Sequence, residues 1–383
     1  MSSQKVVIIG GGYSGVAAAK DLDKTFDVTL VAGGEMFRHV VGGIRAIVLP
    51  ETIAKIHIPY DNLLKRGTVK ACAATKIDAA ECKVTIATGE TLSYDFLILA
   101  TGGLHARTVG MGGGYTTAAG QSIVFKKGNE ELKAATNILI VGAGPIGIEM
   151  AGEIMEEMPG KSVTIVTSKE IMPVADGPDF PQKFRPRLLE KLQKIGVTVH
   201  TDAGRVNCSL NEVNEGGFIV GKKTYTWNGG EMEADLCIVA TGMRQIPPLY
   251  ADSGLESWLD DKGLVSVDST YEVTGAGGGG KVFAIGDCTN LPIPKVVYLA
   301  LLAGQAMVKQ VAASAAGNPL KELAPKNPVA FSFVPVGKSG GVSALPVMGV
   351  VVGDFMTRNI KSKDMFCAKY WAELNAGKPP VVL

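Results

Sequence analysis

Short apolar runs and stretches with helical spacing succeed one another along the chain, and the same succession occurs twice. The first predicts a strand at Val6–Gly10, a helix beginning over Val16–Leu22 and a strand at Asp27–Val31. The second predicts a strand from Asn137, a helix through Glu149–Met158 and a strand at Ser162–Val166. We therefore expect two βαβ units in one chain.

Further predicted elements follow each unit and end in the same way. After the first unit come a strand near Thr68–Ile77, a hairpin of Lys83–Ala87 and Thr91–Tyr94, and a buried strand Phe96–Ala100 leading into Thr101-Gly102-Gly103. After the second come a helix at Leu188–Ile195, a strand at Val197–His200, and a strand Leu236–Ala240 leading into Thr241-Gly242. The repeated Ala-Thr-Gly ending indicates a duplicated architecture rather than a short sequence repeat.

Glycine-rich stretches and a change in the tail divide the chain into domains. Gly110–Gly120 has the composition of a domain crossover, and Gly275–Gly280 that of a flexible loop before a strand at Val282–Ile285. From Pro325 the alternation Phe331-Ser332-Phe333-Val334 leads into a mixed basic and aromatic segment. We expect an α/β protein with two Rossmann-like dinucleotide-binding domains, residues 1–110 with 245–324 and residues 111–244, and a small C-terminal α+β domain, residues 325–383.

The turns that open the two helices carry dinucleotide-binding fingerprints. The three glycines of each turn permit, in order, a tight strand-to-helix turn, close approach of the backbone to a pyrophosphate, and packing of the helix on the sheet. They are Gly10, Gly12 and Gly15 in the first unit and Gly142, Gly144 and Gly147 in the second. Each helix N-terminus also offers unpaired N–H groups and a positive dipole end to phosphates. The chain is thus expected to hold two dinucleotides, with electrons passing between them.

A third motif, Ile285-Gly286-Asp287, ends a predicted strand in the C-terminal half of the chain. A carboxylate at the C-terminal end of a strand accepts hydrogen bonds from a polyol chain, and the preceding glycine permits close backbone approach. A plain Gly-Asp turn without a ligand is the alternative.

Composition excludes several function classes. The net charge is +1, with 38 basic and 37 acidic residues, so no basic field attracts nucleic acid. The six cysteines include no Cys-x-x-Cys, and no pair follows the first fingerprint, so idle thiols in a reducing compartment are expected. The four histidines lack metal-ligand spacing, and no metal site is predicted.

We expect neither a targeting segment nor a membrane-spanning segment in this chain. A strand that begins at Val6 leaves no room for a signal peptide, and residue 2 is Ser rather than the glycine of N-myristoylation. The apolar stretch Val296–Val308 is too short to span a bilayer and reads as a buried helix. We expect a cytoplasmic protein.

The combination of two fingerprints, two Ala-Thr-Gly endings and Ala284-Ile285-Gly286-Asp287 resembles the two-dinucleotide-binding flavoproteins, which have the glutathione-reductase-like fold. Within them the chain resembles the ferroptosis suppressor proteins, which are apoptosis-inducing-factor-like oxidoreductases. Met1-Ser-Ser-Gln, Phe37–Arg45, Pro294–Ala300 and Lys361–Phe366 carry that similarity. The resemblance implies FAD, NADH or NADPH as electron donor, and a quinone-type acceptor.

The fingerprints and the resemblance together define candidate site residues. Candidate FAD contacts are Gly10, Gly12, Tyr13, Ser14, Gly15, Glu35, Arg45, Val69, Ala100, Thr101, Gly102, Gly286 and Asp287. Candidate NAD(P)H contacts are Gly142, Gly144, Pro145, Ile146, Gly147, Thr167, Ser168, Lys169, Thr241 and Gly242. The resemblance places Glu149 near the nicotinamide and Lys295 near the flavin N5–O4 edge, where a cation favours the anionic reduced ring. We expect the catalytic candidates Glu149 and Lys295 to form an ion pair. Separately, His39 lies in the segment that resembles a flavin-proximal helix of the family.

Both units depart from the usual pattern at the end of the second strand, where an acidic residue ordinarily binds the ribose hydroxyls. In the first unit that place holds Ala32, and the nearest acid is Glu35. In the second it holds Thr167, followed by Ser168 and Lys169, so no carboxylate there repels a 2′-phosphate. We therefore expect NADPH to be accepted alongside NADH.

The tail leaves two interpretations open. Its apolar and basic residues either rest on a membrane surface or form a core-packing helix with a solvated face. The apolar residues are Phe355, Met356, Ile360, Met365, Phe366, Tyr370 and Trp371, and the basic residues are Arg358, Lys361, Lys363 and Lys369. Two alternatives to quinone reduction also remain: a reductase of a small iron–sulfur protein, and a redox-sensing interaction protein with slow NAD(P)H turnover. The sequence does not indicate the oligomeric state.

Overall fold

A computed structural model describes residues 4–381 except 104–108, 111–114, 175–177, 243–247, 327, 329 and 348. Residues 5–99 form most of a first parallel sheet and two smaller antiparallel sheets. Their elements, in chain order, are β1 (Lys5–Ile9), α1 (Tyr13–Leu22), β2 (Asp27–Val31), β3 (Met36–Arg38), α2 (Gly43–Val48), α3 (Ile53–Ile56), β4 (His57–Pro59), β5 (Thr68–Lys70), β6 (Ala74–Asp78), β7 (Lys83–Ile86), β8 (Thr91–Ser93) and β9 (Phe96–Leu99).

A second sheet follows, and its elements are α4 (Ala118–Ala134), β10 (Asn137–Val141), α5 (Pro145–Glu157), β11 (Ser162–Val166), α6 (Phe184–Lys194), β12 (Thr198–His200), β13 (Phe218–Trp227) and β14 (Gly230–Val239). The strand order is β12-β11-β10-β14-β13. All neighbours are parallel except β13, which pairs antiparallel with β14. Parallel strands β10 and β11 with helix α5 between them confirm the predicted second βαβ unit.

The chain then returns to the first sheet before forming a third. The remaining elements are α7 (Leu249–Asp252), β15 (Val282–Ala284), α8 (Val297–Ala315), β16 (Ser332–Pro335), β17 (Gly341–Ala344), β18 (Val351–Val352), α9 (Asp354–Thr357), a π-helical turn (Arg358–Ser362) and α10 (Cys367–Glu373). Strand β15 pairs with β9, which completes the order β15-β9-β1-β2-β5. The third sheet, β16-β17-β18, is antiparallel.

Buried side chains connect these sheets. Val334 and Val342 of the third sheet belong to the same apolar cluster as Ile140 of β10 and Ile47 of α2. Trp371 of α10 belongs to the cluster around the first sheet. The tail is therefore packed into both cores rather than separate from them. Among the described residues, no helix has the length and apolar character needed to cross a bilayer.

The structure differs from the sequence predictions at two elements. Thr68–Ile77 is not one strand, because Thr68–Lys70 pairs with β2 and Ala74–Asp78 pairs with β7 in a different sheet. Helix α4 was not predicted, since glycines interrupt its helical pattern. The expected crossover Gly110–Gly120 lies partly outside the described residues, as does the boundary between residues 244 and 245. The domain bounds stay a prediction.

Candidate active site

The first glycine turn joins β1 to α1 in the geometry that a pyrophosphate requires. Gly10 has φ +117°, and a Cβ there would collide with the carbonyl oxygen of Ala100. A Cβ on Gly15 would collide with the carbonyl oxygen of Gly10, so this position admits only glycine. Around Gly12, by contrast, no atom of the described residues other than its chain neighbours lies within 4 Å of a hypothetical Cβ. The turn is tight on its protein side and open in front of the helix N-terminus, as a phosphate site should be.

The second turn, between β10 and α5, repeats this arrangement. Gly142 has φ +108° and faces the carbonyl oxygen of Ala240, and a Cβ on Gly147 would collide with the carbonyl oxygen of Gly142. Around Gly144, too, the part of the chain that the structure describes leaves the 4 Å around a hypothetical Cβ open, apart from the neighbouring residues in sequence. Pro145 and Ile146 then begin α5, and proline is well suited to the first helical position. The open space therefore occupies the same place in both turns.

The Gly-Asp motif lies beside the first turn. A Cβ on Gly286 would come within 2.7 Å of Ser14 Oγ, so α1 and the end of β15 meet there. Asp287 is half-buried, and it lines a depression that also includes Lys295 and Val296, at the start of α8. The first turn and Asp287 therefore form one cradle, which we call the first cradle; Gly142–Gly147 form the second cradle.

The residues after the central strands lie at the open edges of the two sheets. Thr101 follows β9 and its Oγ1 lies 2.8 Å from the Tyr250 hydroxyl, while Gly102 takes φ +64°. Thr241 and Gly242 follow β14; both are exposed, and Gly242 takes φ +73°. Both Ala-Thr-Gly endings thus occur where parallel strands end beside a glycine turn.

The predicted ribose positions differ in their surroundings. Glu35 is exposed, and its Oε1 accepts a hydrogen bond from the backbone N–H of Ala118, at the start of α4. This contact stabilises a helix N-terminus, a role that the sequence did not reveal. Val69 lies in β5 opposite Leu30, at the edge of the first sheet.

At the second position, Thr167 is buried and its N–H donates to the carbonyl oxygen of His200. Ser168 and Lys169 are exposed. The next residue, Glu170, lies 3.2 Å from the guanidinium of Arg185, which offsets its charge. The surroundings thus leave the Lys169 ammonium facing solvent.

The structure corrects the predicted partner of Glu149. Glu149 is buried in the first turns of α5, and its Oε1 lies 2.6 Å from Lys361 Nζ rather than pairing with Lys295. The Lys295 ammonium instead donates to the carbonyl oxygens of Thr289, at 2.8 Å, and Leu291, at 3.2 Å. Burial raises the pKa of the Glu149 carboxyl, and the Lys361 ammonium opposes that rise.

Close packing of α5 on the third sheet explains why Lys361 reaches this carboxylate. A Cβ on Gly152 would come within 2.6 Å of the Val336 Cα, so helix and strand backbone are nearly in contact. Lys361 Nζ also donates to the Phe333 carbonyl oxygen at 3.1 Å. Lys361 lies in the π-helical turn, and such turns are frequent at functional sites.

A second buried ion pair lies one helical turn further along α5. Arg45, which was expected to contact FAD, donates from Nη2 to Glu153 Oε1 at 2.6 Å and from Nε to both carboxylate oxygens. Its Nη1 lies 3.4 Å from the Lys363 carbonyl oxygen. The Arg45 guanidinium therefore joins α2, α5 and the C-terminal segment, and its contact with FAD stays a prediction.

Tyr13 and His39 link the first cradle to the tail. The Tyr13 hydroxyl lies 3.0 Å from His39 Nδ1, and His39 Nε2 lies 2.6 Å from the Met365 carbonyl oxygen. Burial lowers the pKa of His39 to about 4 and raises the pKa of Tyr13. Both side chains are therefore neutral over the physiological pH range.

A row of aromatic rings extends from α8 to the segment beside Lys361. The ring centroids of Tyr298 and Phe331 are 5.1 Å apart, those of Phe331 and Phe333 are 6.2 Å apart, and those of Phe333 and Phe366 are 6.4 Å apart. Tyr298 is 50% exposed. We call these four rings the aromatic row; it gives the site an apolar flank that opens to solvent.

Sequence reasoning missed Lys361, Phe333 and Glu153 as members of this site. The segment Lys361–Phe366 was recognised only as similar to the family, and its aromatic residues were considered for membrane contact. In the structure Met365 and Trp371 are buried, whereas Phe355 is 78% exposed. No local pattern marks Lys361 as the partner of a residue 212 positions away.

Comparisons with known proteins agree with the duplicated architecture. The sequence profile of the family described as "Pyridine nucleotide-disulphide oxidoreductase" matches residues 4–316. Apoptosis-inducing factor homolog B of Dictyostelium discoideum is 32% identical over 395 residues, covering 99% of this chain and 99% of that protein. Human ferroptosis suppressor protein 1 is 31% identical over 382 residues, covering 98% and 96%. The solved sulfide:quinone oxidoreductase of Aquifex aeolicus has the same fold, with a TM-score of 0.77, 17% identity, and 99% and 93% coverage.

Proposed function

Because this chain belongs to the pyridine nucleotide-disulphide oxidoreductase family, we propose that it passes hydride from NADH or NADPH to FAD and two electrons onward to a quinone-type acceptor. Membership of the family makes the chain a flavin- and pyridine-nucleotide-dependent oxidoreductase. The observation that carries the proposal is the pair of cradles with the same open space at Gly12 and Gly144.

The residues present fit the two cofactors. In the first cradle, the N–H groups that begin α1 face the open space at Gly12, and the Asp287 carboxylate is placed to accept from hydroxyl groups. In the second cradle, the N-terminus of α5 faces the space at Gly144. FAD, when bound, accepts hydride from a reduced nicotinamide and releases two electrons to an acceptor.

The Glu149–Lys361 pair supplies the charge of the site. Lys361 is 12% exposed and Glu149 is 6% exposed, so little water screens them. The Lys361 ammonium stabilises negative charge that develops nearby, and its Nζ carries a proton that an acceptor oxygen needs on reduction. Glu149 Oε1 holds that ammonium in place, at the start of the helix that bears the second cradle.

The family name refers to disulfide substrates, but this chain has no cysteine arrangement suited to them. All six cysteines are free, and no two are separated by two residues. Cys288, next to Asp287, is buried and donates to the carbonyl oxygen of Ile285. Burial raises the pKa of this thiol, which disfavours the nucleophilic thiolate. An acceptor reduced without a protein dithiol fits these residues better.

The aromatic row supports a planar, weakly polar acceptor. Tyr298 and Phe331 are placed at the open end, and Phe333 and Phe366 lie toward Lys361. Offset and edge-on contacts between aromatic rings favour a flat ring such as a quinone. The solved protein of the same fold from Aquifex aeolicus is named as a sulfide:quinone oxidoreductase, which is consistent with this choice.

Three further features belong to the proposal. We place FAD on residues 1–110 with 245–324, NAD(P)H on residues 111–244 and the acceptor against residues 325–383. Exposed Ser168 and Lys169 leave room for a 2′-phosphate, so NADPH is accepted alongside NADH. Phe355, 78% exposed, and Met356, 41% exposed, give the tail an apolar edge for peripheral membrane contact.

The test is steady-state oxidation of NADH by the purified flavin-loaded protein, with and without a short-chain ubiquinone analogue. We expect fast turnover that depends on the quinone. Slow turnover that the quinone does not accelerate, with a long-lived reduced complex, contradicts quinone reduction and favours a redox-sensing role. Turnover that requires an added iron–sulfur protein contradicts it as well.

A further inference from the structure

A buried hydrogen-bonded chain runs from the first cradle to the C-terminal segment. It consists of the Tyr13 hydroxyl, the His39 imidazole and the Met365 carbonyl oxygen, with distances of 3.0 and 2.6 Å. His39 is 0% exposed. Its ring lies 4.7 Å, centroid to centroid, from that of Tyr370, which also contacts the Tyr13 ring at 4.9 Å. Water is therefore kept from these hydrogen bonds.

The partners of His39 determine its tautomer. A carbonyl oxygen only accepts hydrogen bonds, so His39 Nε2 must carry the hydrogen that Met365 receives. In the neutral ring Nδ1 is then an acceptor, and the Tyr13 hydroxyl donates to it. The two hydrogen bonds therefore run in one direction, from Tyr13 through His39 to Met365. Reversing either bond would leave a buried polar group unsatisfied.

Met365 lies in a turn whose backbone is unfavourable on its own. Met365 has φ +53° and Phe366 has φ +64°, two consecutive left-handed residues with side chains. Such conformations persist only where the surroundings hold them, and they concentrate at functional sites. The Asp364 carboxylate accepts from the Phe366 N–H at 3.0 Å, and the Met365 N–H donates to the Lys361 carbonyl oxygen at 2.7 Å. The turn thus carries Lys361 at its start and Phe366 at its end.

We propose that His39 is a positioning residue that holds the turn Lys361–Phe366 against the first cradle and so sets the geometry for electron delivery to the acceptor. The proposal rests on the proposed function. His39 touches neither cofactor nor acceptor in this assignment. It acts through the Met365 carbonyl, which lies next to Phe366 and four residues from Lys361.

His39 and His57 provide a matched pair for the test. His57 is also buried, at 7% exposed, and its Nε2 lies 2.7 Å from Gln121 Oε1, so its loss removes a comparable buried hydrogen bond. Its hydrogen-bond partner Gln121 belongs to α4 and lies outside the turn Lys361–Phe366. The variants are His39→Leu, His39→Gln, whose amide can both donate and accept, and His57→Leu. Each is assayed as full-length, flavin-loaded protein.

Two kinetic measurements separate acceptor reduction from flavin reduction. In His39→Leu we expect kcat/KM for a short-chain ubiquinone analogue to fall about tenfold or more, while anaerobic flavin reduction by NADH changes little. His39→Gln should recover most of the loss, and His57→Leu should leave the quinone kinetics near those of the wild type. Equal losses in both leucine variants, or a loss confined to flavin reduction, would overturn the proposal.

Two measurements that do not depend on turnover test the same idea. With 15N-histidine labelling, the chain gives signals from four histidines, and His39→Leu identifies that of His39. We expect a neutral ring protonated at Nε2 from about pH 5.5 to 8. We also expect faster proteolysis within residues 358–368 in His39→Leu than in His57→Leu. An Nδ1–H tautomer, or unchanged proteolysis, overturns the proposal. Failure of the wild type to reduce quinone would refute the proposed function, while these two readouts still decide the role of His39 in holding the turn.

Discussion

The Arg45–Glu153 ion pair is the most deeply buried ion pair between described residues. Removing one of its two partners should therefore destabilise the protein more than removing one partner of any other such pair. Replacing Arg45 with Met keeps much of its volume but leaves the Glu153 carboxylate buried without its cation. We expect Arg45→Met to destabilise the protein by about 3–5 kcal/mol at neutral pH. The double variant Arg45→Met/Glu153→Leu should recover part of that loss, because it removes both charges together.

The magnitude follows from the burial and geometry of the pair. The Arg45 and Glu153 side chains are 7% and 1% exposed, so solvent screening is weak. Two unit charges about 4 Å apart attract by about 4 kcal/mol at an effective dielectric constant near 20. The guanidinium also supplies the Nε and Nη2 hydrogen bonds to the carboxylate. Removing the cation therefore leaves a desolvated anion with few other donors.

The loss should depend on pH in a defined direction. Burial raises the pKa of Glu153 above its ordinary value of 4.5, and Arg45 opposes that rise. In Arg45→Met the folded-state pKa is higher still. A carboxyl whose pKa is higher in the folded than in the unfolded state stabilises the folded state at low pH. That stabilisation is lost as the pH rises through the folded-state pKa. The difference between variant and wild type should therefore shrink toward pH 4.5 and grow toward neutrality.

Denaturation with urea, followed by tryptophan fluorescence and circular dichroism at pH 7 and pH 5, measures these differences. Lys194→Met is the control, since Lys194 pairs with Glu190 on an exposed helix face, and little change in stability is expected there. A cost for Arg45→Met below about 1 kcal/mol at pH 7, or a cost that grows on acidification, would refute this reasoning.

Three further predictions concern the cradles and the site. Gly12→Leu should give a colourless protein, and Gly144→Leu should keep the flavin but raise the KM for NADH at least about a hundredfold, because both leucine side chains would enter the open spaces. The control Gly353→Leu, at an equally open position, should have neither effect. An active yellow Gly12→Leu protein would contradict the first cradle. Lys361→Met should lower kcat with a quinone about a hundredfold, with partial recovery in Lys361→Arg, and an unchanged kcat would remove Lys361 from the site. Lys169→Glu should lower kcat/KM for NADPH relative to NADH about tenfold, and a wild-type preference for NADH above about a hundredfold would already exclude the predicted dual use.

Local sequence patterns predicted the glycine turns of the two cradles well, because each turn is built from one continuous segment. Val6–Gly15 and Ile138–Gly147 combine an apolar strand, a glycine turn and a helix, and short-range sterics decide all three. The hairpin β7–β8 was predicted for the same reason. Helix α4 was missed because Gly120 and Gly128 interrupt it; in the fold, Gly128 leaves room for the Ile47 side chain of α2.

Contacts across long sequence separations were beyond sequence reasoning. Glu149 was recognised from its place after the second turn, but its pairing with Lys361 depends on the third sheet packing against α5. Lys295 was chosen because the family resemblance places a lysine after the Gly-Asp motif near the flavin. The link between Arg45 and Glu153 spans 108 positions, and no composition or spacing signals it. Tertiary packing, rather than local propensity, decides these pairs.

Anaerobic rapid mixing of the yellow, flavin-loaded protein with NADH, followed by mixing with a short-chain ubiquinone analogue, examines both cradles in one experiment. The proposed function predicts loss of the absorbance of the oxidised flavin with NADH and its prompt return with the quinone. A protein that binds no flavin, or whose bound flavin stays oxidised in the presence of NADH, would contradict the two-cradle arrangement.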